Sequence, residues 1–181
     1  MGVKMNSKIK NANKNKSYAL VKNAVNLKSF GLDFDFNSMY EFFNIYPKLK
    51  FEHKGSPFIG QVHDIINDQT SMFFNGYLTF LHNLLENTFN HTDPNNIFRI
   101  GKLDFIFSTQ GYRGGSHIDP EHVIILGVYK NTYYHIQGED VKVCPGDLLY
   151  IYKNVIHHAF SSTERIVFSI SVWDNDQIDL A

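Results

Sequence analysis

His117 and Asp119 stand two positions apart in Gly115-Ser-His-Ile-Asp-Pro120, and His157 closes the run Pro145-Gly-Asp-Leu-Leu-Tyr-Ile-Tyr-Lys-Asn-Val-Ile-His157. Two imidazoles and one carboxylate form the facial donor set that holds ferrous iron and leaves open positions for substrate and oxygen. Residues i and i+2 of a strand point to the same face, so both members of the His-x-Asp pair can reach one ion. In a chain with nine histidines a His-x-Asp pair by itself says little. The order of the segments says more: His-x-Asp, strand-like runs, a Pro-Gly-Asp turn, then a histidine followed by another strand. That order describes a metal site assembled across a barrel. Without a metal, the same side chains would make ordinary hydrogen bonds.

The elements that must position these residues are strands. Apolar and alternating runs cover 97–108, 122–129, 132–136, 141–144, 148–152, 158–161 and 165–173, with Gly, Pro, Ser and Asp turns between them. Many short, closely spaced strands predict a sandwich or barrel of the jelly-roll kind. Residues 18–97 read as a mixed, largely helical portion. Asn37–Phe43 looks like a short helix capped by Ser38, and Met72, Phe73, Tyr77, Phe80, Leu81, Leu84 and Leu85 form one stripe of a longer helix over 70–89. The expected organisation is a flexible basic tail over 1–17 and a single domain over 18–181. Within that domain the helical portion packs on a β core over 98–173.

Composition limits the remaining readings. At 181 residues the chain can bury a core without disulfides, and its single cysteine, Cys144, rules out an internal disulfide framework. That usage fits a reducing, cytoplasmic setting. A net charge of −1 argues against nucleic acid as a partner. The charge is uneven, however: seven lysines precede the first acid, Asp33. The start of the chain lacks the apolar core of a signal peptide, and no stretch approaches a membrane span.

On these residues, 98–173 resembles the double-stranded β-helix of the cupin superfamily. More narrowly it resembles the JmjC-like iron(II)- and 2-oxoglutarate-dependent oxygenases. In the second cupin motif Gly146 and His157 keep their places, while Tyr152 stands for the usual proline and Asn154 for the later glycine. In this register His157 takes the metal position, and His158 would point to the opposite face. The resemblance implies a mainly β fold with N-terminal helices. The cofactors would be Fe(II) and 2-oxoglutarate, with O₂ as co-substrate.

Such enzymes hold the far carboxylate of 2-oxoglutarate with a basic side chain. Lys130, in Gly127-Val-Tyr-Lys130, and Arg165, eight residues after His157, both fit family positions, and Lys130 is preferred. Hydroxyls of Ser108, Tyr134 and Ser169 are further candidates for the oxoacid. Tyr112, Arg113 and His122 are candidates for substrate contact. Glu121 is a weaker alternative to Asp119, His135 is a weaker polar candidate, and Trp173 reads as core or rim. The implied activity is hydroxylation of a C–H bond in an amino acid, a peptide or protein side chain, or a natural-product intermediate. It would be coupled to decarboxylation of 2-oxoglutarate. The alternatives are a metal-dependent cupin without 2-oxoglutarate (a dioxygenase or isomerase) and a non-catalytic small-ligand-binding cupin. The N-terminal helices would brace the barrel, line its entrance or form a homodimer contact.

Overall fold

Strands rich in Val, Ile and Leu that are buried on consecutive residues, as over 122–128 and 148–151, need cover on both faces. The chain supplies it with two stacked sheets and a helix. The computed structural model describes residues 2–30, 51–53, 58–61, 99–108 and 113–174, with single positions 35 and 37. The helix α1 (Gly2–Lys14) is followed by strands β1 (Tyr18–Val21), β2 (Phe51–His53), β3 (Phe58–Gln61) and β4 (Arg99–Ser108). The remaining strands are β5 (His122–Tyr129), β6 (Thr132–Ile136), β7 (Glu139–Val143), β8 (Leu148–Ile151), β9 (His157–Phe160) and β10 (Arg165–Trp173).

Among the described residues all the pairings are antiparallel. The large sheet runs β1-β8-β5-β10-β4-β3-β2 and the small one β7-β6-β9. Isolated bridges Arg113↔Phe160 and His117↔His157 lay the His-x-Asp segment along the open side of β9, where it serves as a fourth strand of the small sheet. From β4 onward the chain therefore crosses from one sheet to the other at each step except the β6–β7 hairpin, as in a double-stranded β-helix. The seven runs expected in the C-terminal half all appear as strands. β7 begins at Glu139, because Gln137 and Gly138, both at positive φ, complete the turn within two residues.

Between the sheets lies a core of Val123, Ile125, Tyr134, Ile136, Val141, Val143, Leu149, Ile151, Val155 and Val167. Fully burying one such aliphatic side chain contributes about 1.5–3 kcal/mol. Two glycines are dictated by geometry. Gly146 turns the chain at φ +82°, and a Cβ on Gly127 would lie 2.3 Å from the Cys144 carbonyl oxygen.

The N-terminal portion differs from its expected form. Residues 2–14, read as part of a flexible tail, are helical, with Ile9 and Ala12 buried. This amphipathic face is short, yet it packs against β1 and β8, and the Asn13 side chain accepts from Tyr150 Oη at 2.9 Å. Contact with the sheet, which composition does not reveal, outweighs the Asn/Lys-rich makeup. The portion expected to be largely helical also contributes strands β1, β2 and β3. The helices expected over 37–43 and 70–89 lie outside the described residues, apart from position 37. Among the described residues, no helix is long and apolar enough to cross a membrane.

Candidate metal centre

The site begins with one backbone pair. His117 and His157 exchange N–H···O=C bonds in both directions, each 3.0 Å. In a hydrogen-bonded antiparallel pair the opposed side chains leave the same face, from Cα atoms about 5.5 Å apart. Their ring centroids are 4.4 Å apart. Asp119 Oδ2 lies 3.8 Å from His117 Nε2 and 3.3 Å from His157 Nε2. One donor atom from each of the three residues falls within a 4.8 Å span.

Ring orientation is set locally, and the same way twice. His117 Nδ1 lies 2.9 Å from the Gly115 carbonyl and His157 Nδ1 2.9 Å from the Val155 carbonyl. A carbonyl only accepts, so each Nδ1 carries the proton and each Nε2 is left for the Asp119 side of the site. Burial pushes the Asp119 carboxyl up, but the hydrogen bond from His157 and the neighbouring imidazoles outweigh it and hold the carboxyl below its ordinary value. Burial pulls the His157 imidazole down, but the Asp119 hydrogen bond, the Val155 carbonyl and the Asp119 charge raise it on balance. A proton and a metal ion compete for the same Nε2 lone pair. Nitrogen, nitrogen and carboxylate oxygen on one side of a shared point suit Fe(II), so the donor set fits the ion.

The backbone that carries the ligands is itself anchored. Asn154 N–H donates to the Asp119 carbonyl at 2.8 Å from a left-handed conformation, φ +60°. Asparagine tolerates that region better than most residues, so the position read as a substituted glycine keeps a glycine-like backbone. Tyr152, at the usual proline, donates its N–H to the Ser17 carbonyl at 3.0 Å, a bond proline could not make. This interaction ties the segment to the residue before β1.

The two basic candidates are separated sharply, against the expected preference. Lys130 sits at φ +51° in the turn between β5 and β6, and its exposed ammonium pairs with Glu164. The turn carries it off the end of β5 and away from the interior. Arg165 is 1% exposed and donates to Thr132 Oγ1 on β6, bridging the two sheets through the interior. On β6 the buried residues are Thr132, Tyr134 and Ile136, and Ile136 is the register partner of His157. Thr132 is thus about 13 Å along the strand from that register, at about 3.3 Å per residue, with Tyr134 between.

The other candidates disperse. Tyr134 is in the core between the sheets, and half-buried Ser169 pairs with Asp104 and Ile125. Ser108 is the register partner of Arg165. Arg113 is exposed beside Phe160, and Tyr112 lies outside the described residues. His122, expected near substrate, leaves β5 on the face opposite Val123 and the inter-sheet core, where it meets Tyr150 and Asp174. Glu121 accepts from Ser171 at 3.0 Å and is not in the ligand group. His135 pairs with Asp140, and His158 bonds Ser116 on the face away from His157. Trp173 is half-buried at the end of β10. Thr132 is not among the residues expected at the site, although the alternation Thr-Tyr-Tyr-His-Ile places it on the inner face with Tyr134.

These elements define a double-stranded β-helix protein with a His-Asp-His set at one end of its small sheet. Solved structures share the fold. A prolyl hydroxylase from Trichoplax adhaerens, in complex with a hypoxia inducible factor peptide fragment, superimposes with a TM-score of 0.73 at 11% identity, over 99% of this chain and 94% of that one. A Pseudomonas putida prolyl-4-hydroxylase gives 0.67 at 11% identity, over 94% and 99%. A non-heme, α-ketoglutarate-dependent epimerase of nogalamycin biosynthesis gives 0.64 at 10% identity, over 96% and 84%. At these identities the likeness is one of fold. No protein-family model matches the chain, and no curated protein matches its sequence.

Proposed function

We propose that this protein is an iron(II)- and 2-oxoglutarate-dependent oxygenase that hydroxylates a C–H bond. The convergence of His117, Asp119 and His157 within 4.8 Å carries the reading. Bound there, iron with 2-oxoglutarate and O₂ would supply the oxidising power for C–H cleavage. His117 and His157 would each present Nε2, and Asp119 a carboxylate oxygen, acting as ligands rather than as acids or bases. Arg165, oriented by Thr132, would bind the far carboxylate of 2-oxoglutarate from inside the barrel, with Tyr134 along the way. The apolar wall of Val123, Ile125, Val155 and Val167 would exclude water. The substrate is an amino acid, a peptide or protein side chain, or a natural-product intermediate; His117, with a half-exposed side chain, opens the site to it.

The test is anaerobic titration of the Fe(II)-loaded protein with 2-oxoglutarate, followed by the visible charge-transfer band of the chelate. A band in the parent that is absent in His157→Ala is the expected result. Iron binding with no band and no 2-oxoglutarate affinity would move the protein to a metal cupin of another reaction. Failure to bind iron would overturn the ligand assignment.

A further inference from the structure

Away from the ligands, a dense buried polar cluster is centred on His122. The side chain is 1% exposed. Lys153 N–H donates to its Nδ1 at 3.2 Å, so Nδ1 carries no proton and the Nε2–H donates to Asp174 at 3.1 Å. Lys153 Nζ returns to the same Asp174 at 2.7 Å, closing a ring of three residues. On the other side Tyr150 Oη is 2.9 Å from both His122 Nδ1 and Asn13 Oδ1. Burial lowers the His122 imidazole's affinity for a proton more than Asp174 raises it, in keeping with a neutral ring.

The position of Lys153 gives the cluster its significance. The next residue, Asn154, holds the Asp119 carbonyl, and the one after, Val155, holds the His157 ring. The 152–155 turn therefore supports two of the three ligand residues. His122 also follows Asp119 by three positions in the chain. We propose that His122 is a positioning residue for the metal centre: its Nδ1, through the Lys153 amide, fixes the turn that orients Asp119 and His157. This rests on the His117–Asp119–His157 reading.

The two nitrogens of His122 can be replaced separately. In His122→Asn the amide oxygen falls near the Nδ1 position and keeps an acceptor for Lys153. In His122→Gln the amide nitrogen falls near Nε2 and keeps only the donor to Asp174. Co(II) binding to the full chain is titrated by its visible d–d bands, beside thermal unfolding of the metal-free proteins. Loss of a group that orients a ligand typically weakens metal binding roughly 10- to 100-fold. That loss, with altered bands, is expected for His122→Gln, while His122→Asn binds close to the parent and both variants melt alike. Parent-like binding by His122→Gln, or affinity in both variants falling together with stability, overturns the proposal. Where neither variant folds, Lys153→Pro serves, because it removes the amide donor itself: weakened Co(II) binding by the folded variant supports the role and unchanged binding overturns it. If the parent itself binds no Co(II), or His157→Ala binds it equally, the ligand reading fails and takes this role with it.

Discussion

His117 and His157 are mutual backbone partners with mirrored ring anchors, yet they differ in depth. The His117 side chain is 52% exposed and that of His157 5%. The same ligand role therefore carries different structural weight. His117→Ala should abolish metal-induced stabilisation while changing metal-free stability by less than about 0.5 kcal/mol. His157→Ala should abolish it and also cost about 1–3 kcal/mol, because it leaves a buried gap and strips the Val155 carbonyl of its donor. Thermal unfolding with and without Co(II) separates the two. A saturating metal adds about 2.7 kcal/mol at a hundred times Kd, and chelator should remove that increment.

Arg165 and Lys130 make opposite predictions. A hydrogen bond to a charged group contributes about 1.5–3 kcal/mol, so Arg165→Gln should weaken 2-oxoglutarate binding by roughly ten- to a hundredfold. Lys130→Ala should leave it within about twofold, since its ammonium is occupied by Glu164 at the surface. Calorimetric titration of the anaerobic, Fe(II)-loaded variants decides. A reversed order would return the oxoacid site to the β5–β6 turn.

Asn154 tests the backbone at the centre. Its φ of +60° costs a β-branched residue about 1–3 kcal/mol and glycine nothing. Asn154→Gly should unfold within about 1 kcal/mol of the parent in urea and keep its metal affinity, because the bond to Asp119 uses the main chain. Asn154→Val should lose both stability and affinity.

Asp147 sets an acid limit. Its buried carboxylate accepts from Lys22 Nζ, Asn23 N and Cys144 N, each at 2.9 Å. Burial pushes its carboxyl up, but the bonds from Lys22, Asn23 and Cys144 win, and it lies below the ordinary carboxylate value. A carboxyl depressed in the folded state binds its proton more readily when unfolded, so its stabilisation is complete above the unfolded value of about 3.9. It is lost as pH falls from there through the lower folded value. Asp147→Asn should destabilise by about 1–3 kcal/mol at pH 7, through impaired hydrogen bonding. Urea unfolding at successive pH should show a shallower decline below about pH 4 than in the parent.

Much of the fold can be read in the chain because its signals are local. Alternation and turn residues mark every strand from β4 to β10, and the register of the cupin-like motif puts His157 rather than His158 at the site, with strand parity allowing only one of the two. The N-terminal portion is less legible. β1 has only four residues, and its identity depends on β8 beside it; α1 has an Asn/Lys-rich sequence whose few apolar residues acquire meaning only against Tyr150 and the sheet.

The site divides in the same way. Residue type and spacing along the sequence determined which atoms can ligate an ion, since strand periodicity is a property of neighbouring residues. Whether Lys130 or Arg165 faces the interior, and that His122 faces away from it, was decided by tertiary structure. A positive φ turns one lysine out to Glu164. Sheet stacking carries an arginine in to Thr132, and an odd-even choice on β5 puts an imidazole behind the metal centre. Each outcome depends on contacts between residues far apart in the chain, whose energies no local pattern contains.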